Sequence, residues 1–352
     1  MDSINVLMLG GRRCGKTTVL SSMYTNIGKV LAGTGLSLEV SDQKTVSELE
    51  RASEIIQDNI KMFEKPLTRI ELDDNPTRES RSYSFRLTLE KGGRIPFQIF
   101  DIPGEWLTDP GKEAALRGLI QNSQVILLAI DTPYLFSKMT DKGYGRYHEE
   151  YNKPLEIANF FKNSLSVEDM KERMILFVPM KCERYYNLEN NPKLNIFNRE
   201  YMSELVDAIS DGYRDILQYL RTPALAGSCT IAVTPILSAG GIDFVRFHRD
   251  PRTGKMIALY QEPEFLPEWR KGYHPQFCEQ PMLYTLAYVL TQAGRAAAGR
   301  QNTMYRSLAG LFSGAGAEQI RTALATIQKK MKRNYGSTPV DGYYMIQNPL
   351  NI

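Results

Sequence analysis

The 352 residues carry 43 Lys and Arg against 40 Asp and Glu, a net charge of +3 at pH 7, with 42% hydrophobic and 24% charged residues. That balance excludes a mainly disordered or fibrous chain and makes no demand for a polyanionic partner, so nucleic acid is not implied. The longest apolar runs, Val125–Ile130 and Met174–Met180, fall far short of the roughly 20 residues needed to span a bilayer, so stable membrane insertion is not expected.

The opening MDSINVLMLG has neither the basic start nor the apolar stretch of a secretory signal, which predicts a cytoplasmic protein. Strand-like runs then recur with helical stretches between them: Asn5–Leu9, Tyr83–Glu90, Arg94–Asp101, Gln124–Asp131, Met174–Met180 and Thr230–Leu237. This order predicts an α/β fold with a mostly parallel six-stranded sheet and helices on both faces. Lys91-Gly92-Gly93 marks a turn, so Tyr83–Glu90 and Arg94–Asp101 form a hairpin and one edge strand runs against the rest. Residues 42–64 place Val46, Leu49, Ile55, Ile56, Ile60 and Phe63 at helical spacing after a capping Ser41 or Asp42.

Insertions fall near 33–75, 136–170 and 246–280, the last reading as a hairpin from VRFHRD to KMIALYQ. Residues 281–299 read as the helix that closes a core domain of 1–299, leaving 300–352 as a C-terminal helical extension and tail. Within it, 315–333 is amphipathic, and its KKMKR end suits the negative pole of its own helix dipole. Cys14, Cys182, Cys229 and Cys278 are widely separated with no CxxC, which suggests neither disulfides nor a zinc site.

Chemistry concentrates first at Gly10-Gly11-Arg12-Arg13-Cys14-Gly15-Lys16-Thr17, which fits GxxxxGK[ST] between an apolar strand and a helix-forming TTVLSSMYTNIG. Glycine lets successive N–H groups converge on phosphate oxygens at a helix N-terminus; Lys16 would bridge the β- and γ-phosphates and Thr17 would ligate Mg²⁺. Residues 10, 12–16 and Thr18 complete the expected phosphate cradle. Asp101-Ile102-Pro103-Gly104-Glu105 closes the strand RIPFQIFD, so Asp101 stands where ligands bind in open α/β sheets and can hold the magnesium shell through water. Gly104 leaves its amide free to approach the γ-phosphate.

With these motifs the chain resembles the Ras-like GTPases, translation-factor-related P-loop proteins, and the rest of the expected site is what that resemblance implies. Thr77, in Asn75-Pro76-Thr77 before Tyr83–Glu90, is the candidate switch threonine on Mg²⁺. The family's NKxD base motif falls at Met180-Lys181-Cys182-Glu183, with Met in place of Asn and Glu183 in place of Asp. A carboxylate there accepts from guanine N1–H and the N2 amine while the Lys181 stem covers the base. Ser238-Ala239-Gly240 stands for the SA[K/L] turn, with the Ala239 amide toward guanine O6. Asn152-Lys153-Pro154 is a decoy that lacks the acid.

Glu105 takes the place of the water-orienting Gln, and Arg13 the place where guanylate-binding proteins carry an internal arginine finger. The enlarged insertions and the DIPGE form are similar to the double-GTPase type of bacterial conflict systems. The resemblance implies a GTP/GDP-bound, Mg²⁺-dependent switch with a protein effector or activator, a homodimer being one candidate assembly. An ATPase of the same fold and a nucleotide-bound module that does not hydrolyse stand as alternatives, the first supported by the lost Asn and the second by Glu105.

Overall fold

The computed structural model describes residues 3–61, 80–90, 94–137, 147–165, 172–185, 200–249, 251, 254, 256–261, 272–297, 315–335, 338–341 and 343–349. In chain order the main-sheet strands are β1 (Ile4–Gly10), β2 (Leu36–Val40), β3 (Arg81–Leu89), β4 (Arg94–Asp101), β5 (Val125–Asp131), β6 (Arg173–Met180), β7 (Cys229–Val233) and β8 (Tyr344–Gln347). The helices used below are α1 (Lys16–Leu31), α2 (Gln43–Lys61), α3 (Glu113–Asn122), α4 (Thr132–Phe136), α5 (Tyr147–Asn152), α6 (Pro154–Ser164), α7 (Tyr201–Gly212), α8 (Arg214–Leu220), α9 (Gln280–Ala297) and α10 (Ala315–Lys330).

The eight strands lie in the order β8-β7-β6-β5-β1-β4-β3-β2. The run from β7 through β4 is parallel throughout, as crossover helices require. Every residue of β5 and β6 is buried, which is why both strands read as unbroken apolar runs rather than as alternation. In β1, Ile4, Val6 and Met8 face a core shared with α1, α2, α9 and α10, while Leu7 and Leu9 face one shared with α3, α6, α7 and α8. Helices therefore cover both faces.

The sheet has eight strands where six were expected. β2 pairs antiparallel with β3, so the reversed hairpin strand lies second from the edge rather than at it. β2 escaped notice because an outer strand buried on only one side, within Gly33 to Ser41, shows too short an alternation. β8 joins antiparallel to β7, so the segment set apart as a helical tail closes the other edge. A four-residue strand near the chain terminus carries little periodic signal.

The insertions build on this frame. Asp42, one of the two expected caps, accepts from the Thr45 amide at 2.8 Å at the start of α2. The expected hairpin after residue 245 pairs Asp243–Arg249 with Met256–Gln261. α10 buries Ile320, Ala323 and Ile327, with Met331 just after it, in the core shared with α9. Its last carbonyls meet α9: Tyr284 Oη donates to Met331 O at 3.0 Å and Gln280 Nε2 to Lys330 O at 3.2 Å. Lys330 donates in turn to Ala32 O at 2.9 Å and to Val30 O, so a basic residue of this helix satisfies the C-terminus of α1. No helix among the described residues is long and apolar enough to cross a membrane.

If α10 belongs to this core, Ile327→Ala should lower the unfolding free energy by about 2–5 kcal/mol, the usual cost of a buried large-to-small change. Chemical denaturation measures it, and a loss under about 0.5 kcal/mol, the range of surface substitutions, would show that α10 is not an integral layer.

Candidate functional site

The site forms where β1, β4, β5 and β6 end. β1 stops at Gly10, where a β-carbon would lie 2.6 Å from Ala129 O of β5. The chain then turns through 11–15, with Gly15 at a φ of 103°, and enters α1 at Lys16. Gly15 caps α1 without a side-chain hydrogen bond, and the first turn holds no acidic residue. The first-turn amides are thus left for an anion. Lys16 is buried, and its ammonium donates to Gly10 O and Gly11 O, both at 3.0 Å, so the cation is bound over the loop. Thr18 and Cys14 are also buried, and burial pushes the Cys14 thiol up despite Lys16 beside it.

Thr17 Oγ1 donates to Asp101 Oδ2 at 2.9 Å, joining the P-loop helix to the end of β4. Asp101 is buried, and its Oδ1 has no hydrogen-bond partner among the described residues. Burial raises its pKa, while Lys16 and the Thr17 hydrogen bond oppose the rise. An unsatisfied buried carboxylate oxygen next to a hydroxyl with free lone pairs fits a hard divalent cation such as Mg²⁺, which takes few protein oxygens and keeps water in its shell. Thr77, the third expected ligand, lies outside the described residues.

Gly104 opens the short 3₁₀ turn Gly104–Leu107. A β-carbon there would lie 2.3 Å from Arg12 N and 2.5 Å from Gly11 C, a main-chain approach that only glycine permits. The next residue, Glu105, pairs with Arg12 (Nε to Oε1, 2.8 Å). Arg13 has a φ of 61°, an exposed side chain, and a carbonyl that accepts from Lys181 Nζ at 3.1 Å.

The expected base residues converge, mainly upon one another. Lys181 N donates to Ser238 Oγ at 2.9 Å, and Glu183 Oε1 accepts from the amides of Ala239 at 2.8 Å and Gly240 at 3.2 Å. Glu183 is buried, which raises its pKa against the pull of those amides, and its Oε2 is unpartnered among the described residues. The Ala239 amide, expected on guanine O6, is therefore engaged by Glu183. Met180, at the Asn position, is buried and reaches the P-loop: its Cε would lie 3.1 Å from a β-carbon on Gly15.

Two participants were not anticipated. Asp131, at the end of β5, holds the Lys181 ammonium at 2.5 Å. Asn152 clasps the Asp131 backbone, accepting from its N–H at 2.8 Å and donating to its C=O at 3.1 Å, and contacts His148 Nδ1 at 3.0 Å. The decoy asparagine is thus a brace for the strand that positions Lys181. Asp131 did carry a signal, since like Asp101 it is an acid at the end of a strand, here one that is apolar up to that acid.

The fold and this arrangement define a P-loop nucleotide-binding protein of GTPase type. Residues 4–192 match the Double-GTPase 2 family, and the chain belongs to that family. Among solved structures it is similar to the S. cerevisiae Ski7 GTPase-like domain, bound to GTP, with 14% identity and a TM-score of 0.32 over 81% of this chain and 49% of that one. The chain thus spans about half the length of that structure. No curated protein matches it.

Lys16→Ala and Thr17→Ala should each weaken Mg²⁺-dependent triphosphate binding by about 10²-fold or more, roughly 2.7 kcal/mol, with the circular dichroism spectrum unchanged. Isothermal titration with a non-hydrolysable analogue reads this, and wild-type affinity in a folded variant would refute the assignment.

Proposed function

We propose that this chain is a GTP-binding, GTP-hydrolysing molecular switch that converts GTP to GDP and phosphate with Mg²⁺, and that it serves a bacterial defence or conflict system. The supporting observation is the Thr17–Asp101 contact, which brings a P-loop hydroxyl and the acid of the DIPGE turn to 2.9 Å beside the buried Lys16. Phosphoryl transfer asks a protein mainly for positioning and charge neutralisation. Lys16 and the first-turn amides would bind the β- and γ-phosphates, Gly104 would offer its amide to the γ-phosphate, and Glu105 would orient the attacking water. Thr17 and Asp101, with Thr77, would hold Mg²⁺, which when bound supplies positive charge to the phosphate oxygens. Arg13 is the residue that the resemblance to guanylate-binding proteins offers as a charge on the transferring phosphate.

A cytoplasmic location, a protein effector or activator, and a homodimeric form belong to the same reading. Gly104–Thr108 should gain protection from hydrogen exchange with a non-hydrolysable GTP analogue and lose it with GDP, as a segment ordered by the γ-phosphate must. Identical exchange in the two states would leave no switch to explain.

Base identity admits a second reading. Glu183 Oε1 and the Ala239 amide occupy each other and Met180 supplies no amide side chain, which favours a site that binds the triphosphate end and selects weakly between guanine and adenine. We expect guanine to prevail through the remaining Glu183 oxygen, so GTP should outcompete ATP and Glu183→Ala should narrow the gap by about 1–3 kcal/mol. Equal competition by the two nucleotides in the unmutated protein would reject the guanine preference and favour the ATPase reading.

A further inference from the structure

Glu105 poses a charge problem for hydrolysis. It directly follows the glycine proposed to offer its amide to the terminal phosphate, and an uncompensated carboxylate there would repel both the triphosphate and the charge that develops on it. The structure supplies compensation from the opposite wall, where Arg12 Nε lies 2.8 Å from Glu105 Oε1.

An exposed ion pair generally means little, because two long side chains must be immobilised for a modest gain. This one is held by main chain. A β-carbon on Gly104 would lie 2.3 Å from Arg12 N and 2.8 Å from Arg12 Cα, so the P-loop and the DIPGE turn touch at the residues that carry the pair. The side chains are 41% and 44% exposed, leaving the pair open to entering water and phosphate. Among the described residues, Glu105 Oε2 and the terminal nitrogens of Arg12 make no hydrogen bond, and the two side chains meet as an ion pair. Among the described residues it is Arg12, not the adjacent Arg13, whose side chain pairs with Glu105.

We propose that Arg12 is the positioning residue of this site. It neutralises Glu105 and fixes that carboxylate so that Oε2 accepts a hydrogen bond from the attacking water. The proposal rests on the hydrolytic reading above and moves the catalytic weight from Arg13 to Arg12 acting through Glu105. In the step itself the water oxygen bonds to the γ-phosphorus while the bond to the β–γ bridging oxygen breaks. The bridging electron pair stays on GDP, and the water's protons leave with inorganic phosphate and solvent.

The test is a double-mutant cycle on the full chain, with single-turnover phosphate release and nucleotide affinity measured for Arg12→Ala, Glu105→Ala, the double variant, Arg12→Lys and Arg13→Ala. Arg12→Ala should slow release by about 10²-fold and weaken GTP binding by less than about tenfold, the share of the repulsion already felt by the bound triphosphate, while GDP affinity moves by less than about threefold; a loss of rate larger than the loss of GTP affinity marks the part exerted in the transition state. The double variant should be no slower than Glu105→Ala, and Arg12→Lys should recover part of the rate. Multiplying losses in the double variant, an unaltered rate in Arg12→Ala, or a rate that falls with Arg13→Ala instead would each overturn the proposal. If the unmutated protein binds GTP and releases no phosphate, the hydrolytic reading falls and takes the proposal with it. If release is normal and indifferent to Arg12, only the proposal falls.

Discussion

The site depends on main-chain contacts at three glycines. Gly10 lies against Ala129 O, Gly11 against the Tyr151 carbonyl at the end of α5, where a β-carbon would come within 1.8 Å, and Gly104 against Arg12. The phosphate loop is thereby wedged between β5, the α5–α6 junction and the DIPGE turn, with no side chain to act as a spacer. Contact of this kind leaves little freedom, so the loop's shape is set before any ligand arrives, and electrostatic catalysis relies on such preorganisation.

Around that loop three parallel strands or their extensions end in a buried carboxylate, and each meets a different answer. Asp101 is met by the Thr17 hydroxyl and Lys16, Asp131 by the Lys181 ammonium, and Glu183 by two backbone amides. Burial raises all three pKa values while those partners pull them back. Each acid also keeps one oxygen without a partner among the described residues. Unsatisfied buried oxygens are costly in a folded chain and concentrate where a ligand completes the bonding.

What the sequence disclosed follows from how local each cause is. The P-loop and the DIPGE turn were legible because their glycines and charged residues act within a few positions of one another. The central strands were legible because double-sided burial leaves unbroken apolar runs. β2 and β8 were missed because their pairing partners lie about 50 and 110 positions away and each strand is short. The role of Asn152 was hidden for a similar reason, since its hydrogen bonds reach back 21 positions to the backbone of Asp131 and carry no side-chain pattern. The Arg12–Glu105 pair joins two motifs that were each recognised, yet only three dimensions say which of two adjacent arginines faces the acid.

The position of β8 also bears on how the chain is made. Val233 of β7 pairs with Tyr344, so the far side of the sheet has its final neighbour only after more than a hundred further residues have been added. At a synthesis rate of about 5–20 residues per second, β7 waits on the order of ten seconds with an unpaired rim. Such a rim invites pairing with other chains. The turn bearing Ser238 and Ala239 follows β7 and is hydrogen-bonded to Glu183 and to His274, so the nascent protein would complete its phosphate loop before its base-side loop.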